Sequence, residues 1–120
     1  MSDFKYINII DEGEVVSLVF NRPPLNVLNI PMMKEINIAL NELLFHPAAK
    51  VLCIKAEGKA FSAGVDVADH VADKIDEMMN EFHRIFENIN KFKIPVIAVV
   101  DGAALGGGCE VAIFCDMILA

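Results

Sequence analysis

Residues 94–120 read IPVIAVVDGAALGGGCEVAIFCDMILA. Pro95 bars a helix from running through it, and Val96–Val100 is the most strand-like run in the chain. Asp101–Gly108 is a glycine-rich turn, Cys109–Phe114 reads as a helix, and Met117–Ala120 reads as a further strand beginning. A strand that returns to a strand through a helix needs a crossover connection, which points to a layered α/β fold.

The rest of the chain agrees with that reading. Asp69–Lys93 places Val71, Ile75, Met78, Met79, Phe82, Ile85, Phe86, Ile89 and Phe92 at helical spacing, so one long helix with a single apolar face is predicted. Val51–Ala56 is a short apolar strand, followed by the turn Glu57-Gly58-Lys59. A helix opens at Pro31, carries Met33, Ile36, Leu40 and Leu43 or Leu44 on one face, and closes at His46-Pro47. Phe4–Ile10 and Val15–Phe20 form a hairpin around Asp11–Glu14, and Pro23-Pro24 halts the second strand. The order β-β-α-β-α-β-α-β has no internal repeat, low-complexity tract or linker, so residues 1–120 are read as one domain.

Composition narrows the function. At 55 % apolar and 22 % charged residues the chain can build a packed core, which excludes intrinsic disorder. Ten basic against seventeen acidic side chains, a net charge of −7, disfavour a nucleic-acid partner. They leave room for an anionic small molecule held by backbone N–H groups and a local basic rim. No apolar run reaches the roughly 18 residues of a membrane span. Met1–Lys5 has mixed charge and no apolar stretch, so no secretory signal is expected. Cys53, Cys109 and Cys115 lack CxxC spacing; neither a disulfide nor a zinc site is expected, and a reducing cytoplasmic setting fits. His46, His70 and His83 are too scattered to be proposed as metal ligands and are read as exposed helix or loop residues.

Two segments carry candidate chemistry. In KAFSAGVDV, residues 59–67, Gly64 permits a backbone conformation that leaves the following N–H groups free to face a ligand. The plainer reading is a strand-to-helix turn with Asp66 as N-cap. In DGAALGGGCE, residues 101–110, three glycines clear side chains from a helix start where unpaired N–H donors converge. That suits a developing oxyanion. Glu110, one turn in, is placed as a general base, or else it merely complements the helix dipole. A Walker A loop is excluded because Cys109-Glu110 follows Gly108, and a dinucleotide fingerprint would need glycine where Ala104 stands.

Together KAFSAGVDV, the run from Ile94 to Ala120 and the early NRPPLNVLN, residues 21–29, resemble the enoyl-CoA hydratase/isomerase (crotonase) superfamily. The resemblance implies a crotonase-like ββα spiral and an acyl-CoA thioester substrate, with coenzyme A as part of that substrate and no separate cofactor. It implies an oxyanion hole at the N–H groups of Val65 and Gly107, with Glu110 as the catalytic carboxylate. Leu25, Asn26, Val27, Ser62, Gly64, Val65, Asp66, Val67, Ala68, Gly106 and Gly107 are the implied substrate and CoA contacts, and Arg22 and Lys59 the implied phosphate contacts. The implied reaction is hydration of an α,β-unsaturated thioester, with an alicyclic dienoyl-CoA branch suggested by the double proline. The alternatives are an enoyl-CoA isomerase and a non-catalytic crotonase-like binding module. A homotrimer or dimer of trimers is implied for the full-length protein. Family members run to about twice this length, and their second catalytic glutamate would fall beyond Ala120. The chain is therefore expected to be an N-terminal portion of such a domain, inactive alone, with Met117, Ile118 and Leu119 paired in a sheet.

Overall fold

The structure, a computed structural model, describes residues 3–120. The first two residues of the stretch read for a secretory signal lie outside the described residues. In chain order the elements are β1 (Ile7–Asp11), β2 (Val15–Phe20), α1 (Ile30–Leu43), β3 (Val51–Ala56) and β4 (Ala60–Ser62). After a single 3-10 turn at Val67–His70 come α2 (Ile75–Asn90), β5 (Val96–Val99), β6 (Ala103–Ala104), α3 (Gly107–Phe114) and β7 (Met117–Leu119). One sheet has the order β1-β2-β3-β5-β7, antiparallel at β1-β2 and parallel elsewhere, and β4 pairs with β6 in a separate two-stranded ribbon.

Register places Leu18 opposite Ile54, Ile54 opposite Ala98, and Ala98 opposite Ile118. The first three are buried and form the spine of the core, onto which the helices pack. Helix α1 starts cleanly because Asn29 accepts from the Met32 N–H at 2.9 Å and Pro31 sits in the first turn. It buries Met32, Met33, Ile36, Leu40 and Leu43. Between α1 and α2 runs a polar seam. Asn37 donates to the Glu81 carbonyl (3.0 Å) and carboxylate (3.1 Å), and Asn88 donates to Asn37 at 3.0 Å. With these groups satisfied, the two helices are held in one register instead of sliding on an apolar face.

Several boundaries differ from the sequence reading, each for a visible reason. The long helix begins at Ile75, not Asp69. Asp66 caps a single short turn through the Ala68 N–H, and Val71 is extended at ψ 154°. Asp69 is buried and accepts from the Ile30 N–H at 3.0 Å, so this segment is tied to the start of α1. Strand β1 begins at Ile7, not Phe4, because the Lys5 and Tyr6 N–H groups donate to the Glu35 carboxylate on α1. His46 is not an exposed loop residue: its side chain is 11 % exposed. Its Nδ1 accepts from the Ala48 and Ala49 N–H groups, which places the proton on Nε2, 2.8 Å from Asp11. Among the described residues no helix is long and apolar enough to cross a membrane.

Candidate active site

The β4–β6 ribbon, read in the sequence only as turns, brings the two glycine-bearing segments side by side. After β4 the backbone passes Gly64 at φ 107° and pairs with Leu28: the Leu28 N–H donates to the Gly64 carbonyl and the Asp66 N–H to the Leu28 carbonyl. In such a pattern alternate amides face away, and the Val65 N–H is the one left over. After β6 the Leu105 N–H donates to the Ser62 carbonyl at 3.0 Å, and Gly106 turns at φ 51°, ψ −124°. Gly107 then opens α3, where a first-turn N–H has no helical acceptor. Neither the Val65 nor the Gly107 N–H meets an acceptor among the described residues.

The three glycines at 106–108 do three different jobs. Gly106 supplies the backbone conformation. A Cβ on Gly107 would stand 3.0 Å from both Phe82 Cε1 and Val65 Cγ2, filling the space beside the free donors. A Cβ on Gly108 would overlap the Ser62 carbonyl oxygen and lie 2.6 Å from Ser62 Cβ, so its absence lets α3 close onto β4. From the other side, a Cβ on Gly64 would lie 3.6 Å from the Gly107 nitrogen. The two turns therefore touch backbone to backbone.

Both open onto one cleft of about 400 Å³. Ala63, Gly64, Val65, Gly106 and Gly107 form one wall, Met78, Met79 and Phe82 of α2 the apolar floor, and His70, His83 and Glu110 the ionisable groups. Glu110 lies in the first turn of α3, exposed, and its carboxylate has no hydrogen bond or ion pair among the described residues. An aromatic contact sets α3 against α2: Phe86, edge-on to Phe82 of its own helix at 4.9 Å, meets Phe114 of α3 at 5.1 Å. Cys115, behind α3, is buried, and that burial, with Asp116 adding to it, pushes its thiol up to about 12.

Of the residues singled out in the sequence, the structure brings Gly64, Val65, Gly106, Gly107 and Glu110 to this cleft. Leu25, Asn26, Val27, Ser62, Asp66, Val67 and Ala68 do not line it. Asn26 and Ser62 are wholly buried, so their side chains are closed to a ligand. Asn26 donates to the Glu57 and Ala60 carbonyls, each at 2.8 Å, and accepts from the Arg22 N–H at 2.8 Å. Ser62 donates to the Asn26 carbonyl and accepts from the Gly64 N–H. The pair pins the first turn from behind. Arg22 is likewise engaged, donating to the Val27 carbonyl at 2.7 Å and lying 3.7 Å from Asp66. Leu25, Val67 and Ala68 are exposed on the outer flank of that turn, as is Lys59 beyond it.

Sequence reasoning missed His70 and His83, which come from the turn before α2 and from α2 itself. Spacing offered one signal: His83 follows Phe82 and sits four residues after Met79, on the flank of the apolar floor. Together with Glu110 these side chains form no group able to hold a metal ion among the described residues.

Strand–strand–helix units wound into a sheet that is parallel except at β1-β2, with paired short strands feeding two glycine turns, define the crotonase fold. The chain belongs to the enoyl-CoA hydratase/isomerase family, whose model matches residues 11–120. It is 37 % identical over 111 residues to a probable enoyl-CoA hydratase of Rhizobium meliloti, covering 91 % of this chain and 43 % of that protein. It is 30 % identical over 109 residues to the cyclohexa-1,5-dienecarbonyl-CoA hydratase of Thauera aromatica, covering 91 % and 42 %. The crystal structure of an enoyl-CoA hydratase from Mycobacterium avium subsp. paratuberculosis superposes with a TM-score of 0.88 at 30 % identity, over 98 % of this chain and 48 % of that one. The chain thus spans a little under half the length of these relatives, and half of the crotonase fold.

Proposed function

We propose that this cleft binds the thioester end of an α,β-unsaturated acyl-CoA and supports addition of water across its double bond. The observation that carries the reading is the pair of unpaired amides, Val65 and Gly107, set on one cleft with the free Glu110 carboxylate. Water adds its oxygen to the β-carbon while Glu110 takes the proton released. The π electrons move toward the thioester, whose carbonyl oxygen becomes an enolate held by the two N–H donors. Return of that proton from Glu110 to the α-carbon restores the thioester and the free carboxylate, so that one water is added in all. Donors fixed by backbone geometry need no reorganisation as charge develops, and losing one typically costs a hundred- to a thousandfold in rate. Leu25, Val67 and Ala68, exposed beside the first turn, would carry the CoA arm. A cyclic dienoyl thioester is included among the substrates because one relative is named for hydrating such a compound.

The test is hydration by the full-length protein of crotonyl-CoA and of a cyclic dienoyl-CoA. Gain of one water by mass is expected for each, with loss of the conjugated-thioester absorbance in the case of crotonyl-CoA. Shift of a double bond without gain of water would overturn this reading in favour of an isomerase. Binding without either reaction would leave a non-catalytic module.

A further inference from the structure

His70 and His83 are not accounted for by water activation or by the two backbone donors. They flank an otherwise apolar floor made by Met78, Met79 and Phe82. His70 has a fixed tautomer: its Nδ1 lies 3.1 Å from the Asp66 carbonyl, which can only accept, so Nδ1 carries the proton and the neutral ring keeps Nε2 as an acceptor. The ring nitrogens of His83 have no hydrogen-bond partner among the described residues. An imidazole carries at least one N–H donor in every protonation state. Both rings are exposed, so neither serves the core.

A cleft shaped only for a hydrocarbon tail gains nothing from such groups, because the tail strips water from them and returns no hydrogen bond. We propose that His70 and His83 select acyl groups that carry a hydrogen-bonding oxygen, a hydroxyl or a ketone, beyond the two carbons that react. The inference rests on the acyl-CoA reading above and adds the chemical class of the acyl group. Met78, Met79 and Phe82 would hold its carbon skeleton. The donor on His83 would meet a hydroxyl or carbonyl oxygen, and the acceptor on His70 a hydroxyl hydrogen.

The experiment is a calorimetric titration of the full-length protein with saturated thioesters, which bind without turning over. Hexanoyl-CoA is compared with its terminally hydroxylated and keto-substituted counterparts. At least one oxygenated thioester should bind about tenfold tighter than hexanoyl-CoA. The His70→Phe/His83→Leu double variant should lose that preference while binding hexanoyl-CoA at least as tightly as the parent, and His83→Gln, which still hydrogen-bonds, should keep part of it. Equal binding of all three thioesters, or a preference that survives in the double variant, would overturn the proposal and leave the acyl-CoA reading standing. Failure of every thioester to bind would overturn both. Since the two rings are exposed, the variants should melt with the parent, which melting curves check directly.

Discussion

The turn after β4 carries Gly64 at φ 107° and leaves the Val65 N–H unpaired; the turn after β6 carries Gly106 at φ 51° and leaves the Gly107 N–H unpaired. In each, a left-handed glycine precedes the free donor by one residue. The means of holding them differ. The first turn is pinned by polar side chains, with Asn26 and Ser62 behind it and Asp66 capping the 3-10 turn at Val67–His70. The second is held by backbone alone, through the close approach of Gly108 to Ser62 and the Leu105 N–H on the Ser62 carbonyl. A chain can thus fix a backbone donor either by adding hydrogen-bonding side chains or by removing side chains altogether. Ser62 serves both devices, which is why the two donors sit together.

The largest loss of stability is expected where closeness is abolished. In Gly108→Ala the new methyl group meets the backbone of Ser62, which cannot swing aside as a flexible side chain would. Helix α3 must lift from β4, at a cost of about 3 kcal/mol or more. The Gly107 donor moves with it, so acyl-CoA turnover should fall along with the melting temperature. Wild-type stability for this variant would show that the second turn is not held by contact.

Next comes Asn26→Ala, which breaks the side-chain device. It strips the buried Ala60 carbonyl of its partner, and the partly buried Glu57 carbonyl and Arg22 N–H of theirs. A cost of about 2–3 kcal/mol is expected, read as a lower urea midpoint with an unchanged slope. A change below about 0.5 kcal/mol would mean that Asn26 is dispensable and the first turn stands by other means.

These two residues also mark what could be read from the sequence. Three consecutive glycines at a helix start announce the second turn, and Gly64 among small residues announces the first. The partner of the first turn is invisible in one dimension, since Asn26 lies 34 residues before Ala60, the backbone it holds. β2 and β3 were legible to the residue because a short apolar run between turn signals, β-branched in β2, is a strong strand signal. β4 and β6 were not, since strands of three and two residues are too short to show a period and pair only with each other. Of the cleft, the backbone wall and Glu110 were legible. The floor of α2 was readable as a helix face but not as a face turned toward Glu110, and the histidines on its flank were read merely as surface.

A finer contrast separates the two left-handed glycines. A Cβ on Gly64 would lie 3.2 Å from the Leu105 carbonyl oxygen, whereas one on Gly106 would meet nothing within 4 Å. Gly64→Ala therefore combines backbone strain with crowding and should cost about 2 kcal/mol, while Gly106→Ala adds only the strain, about 1 kcal/mol. Paired urea titrations check the order, and the reverse order would mean that the turns are not in contact as described.

The smallest effect on stability, and among the largest on turnover, belongs to Glu110→Gln. The side chain is exposed and makes no hydrogen bond or ion pair among the described residues, so nothing in the core depends on it. It does stand in the first turn of α3, where a carboxylate gains a few tenths of a kcal/mol from the helix dipole. Glutamine keeps the shape and gives up that gain together with the basicity. Stability should therefore shift by less than about 0.5 kcal/mol. Hydration of an unsaturated acyl-CoA by the full-length protein should fall about a hundredfold or more, the usual loss when a general base is removed. Affinity for a saturated acyl-CoA should hardly move, since binding shared by ground and transition states comes from the donors, the apolar floor and the CoA arm. A merely structural carboxylate gives the opposite pattern, a lower melting temperature with turnover intact. The two backbone donors would then be left to act without a base from α3, and the reading of Glu110 as the proton acceptor would be wrong.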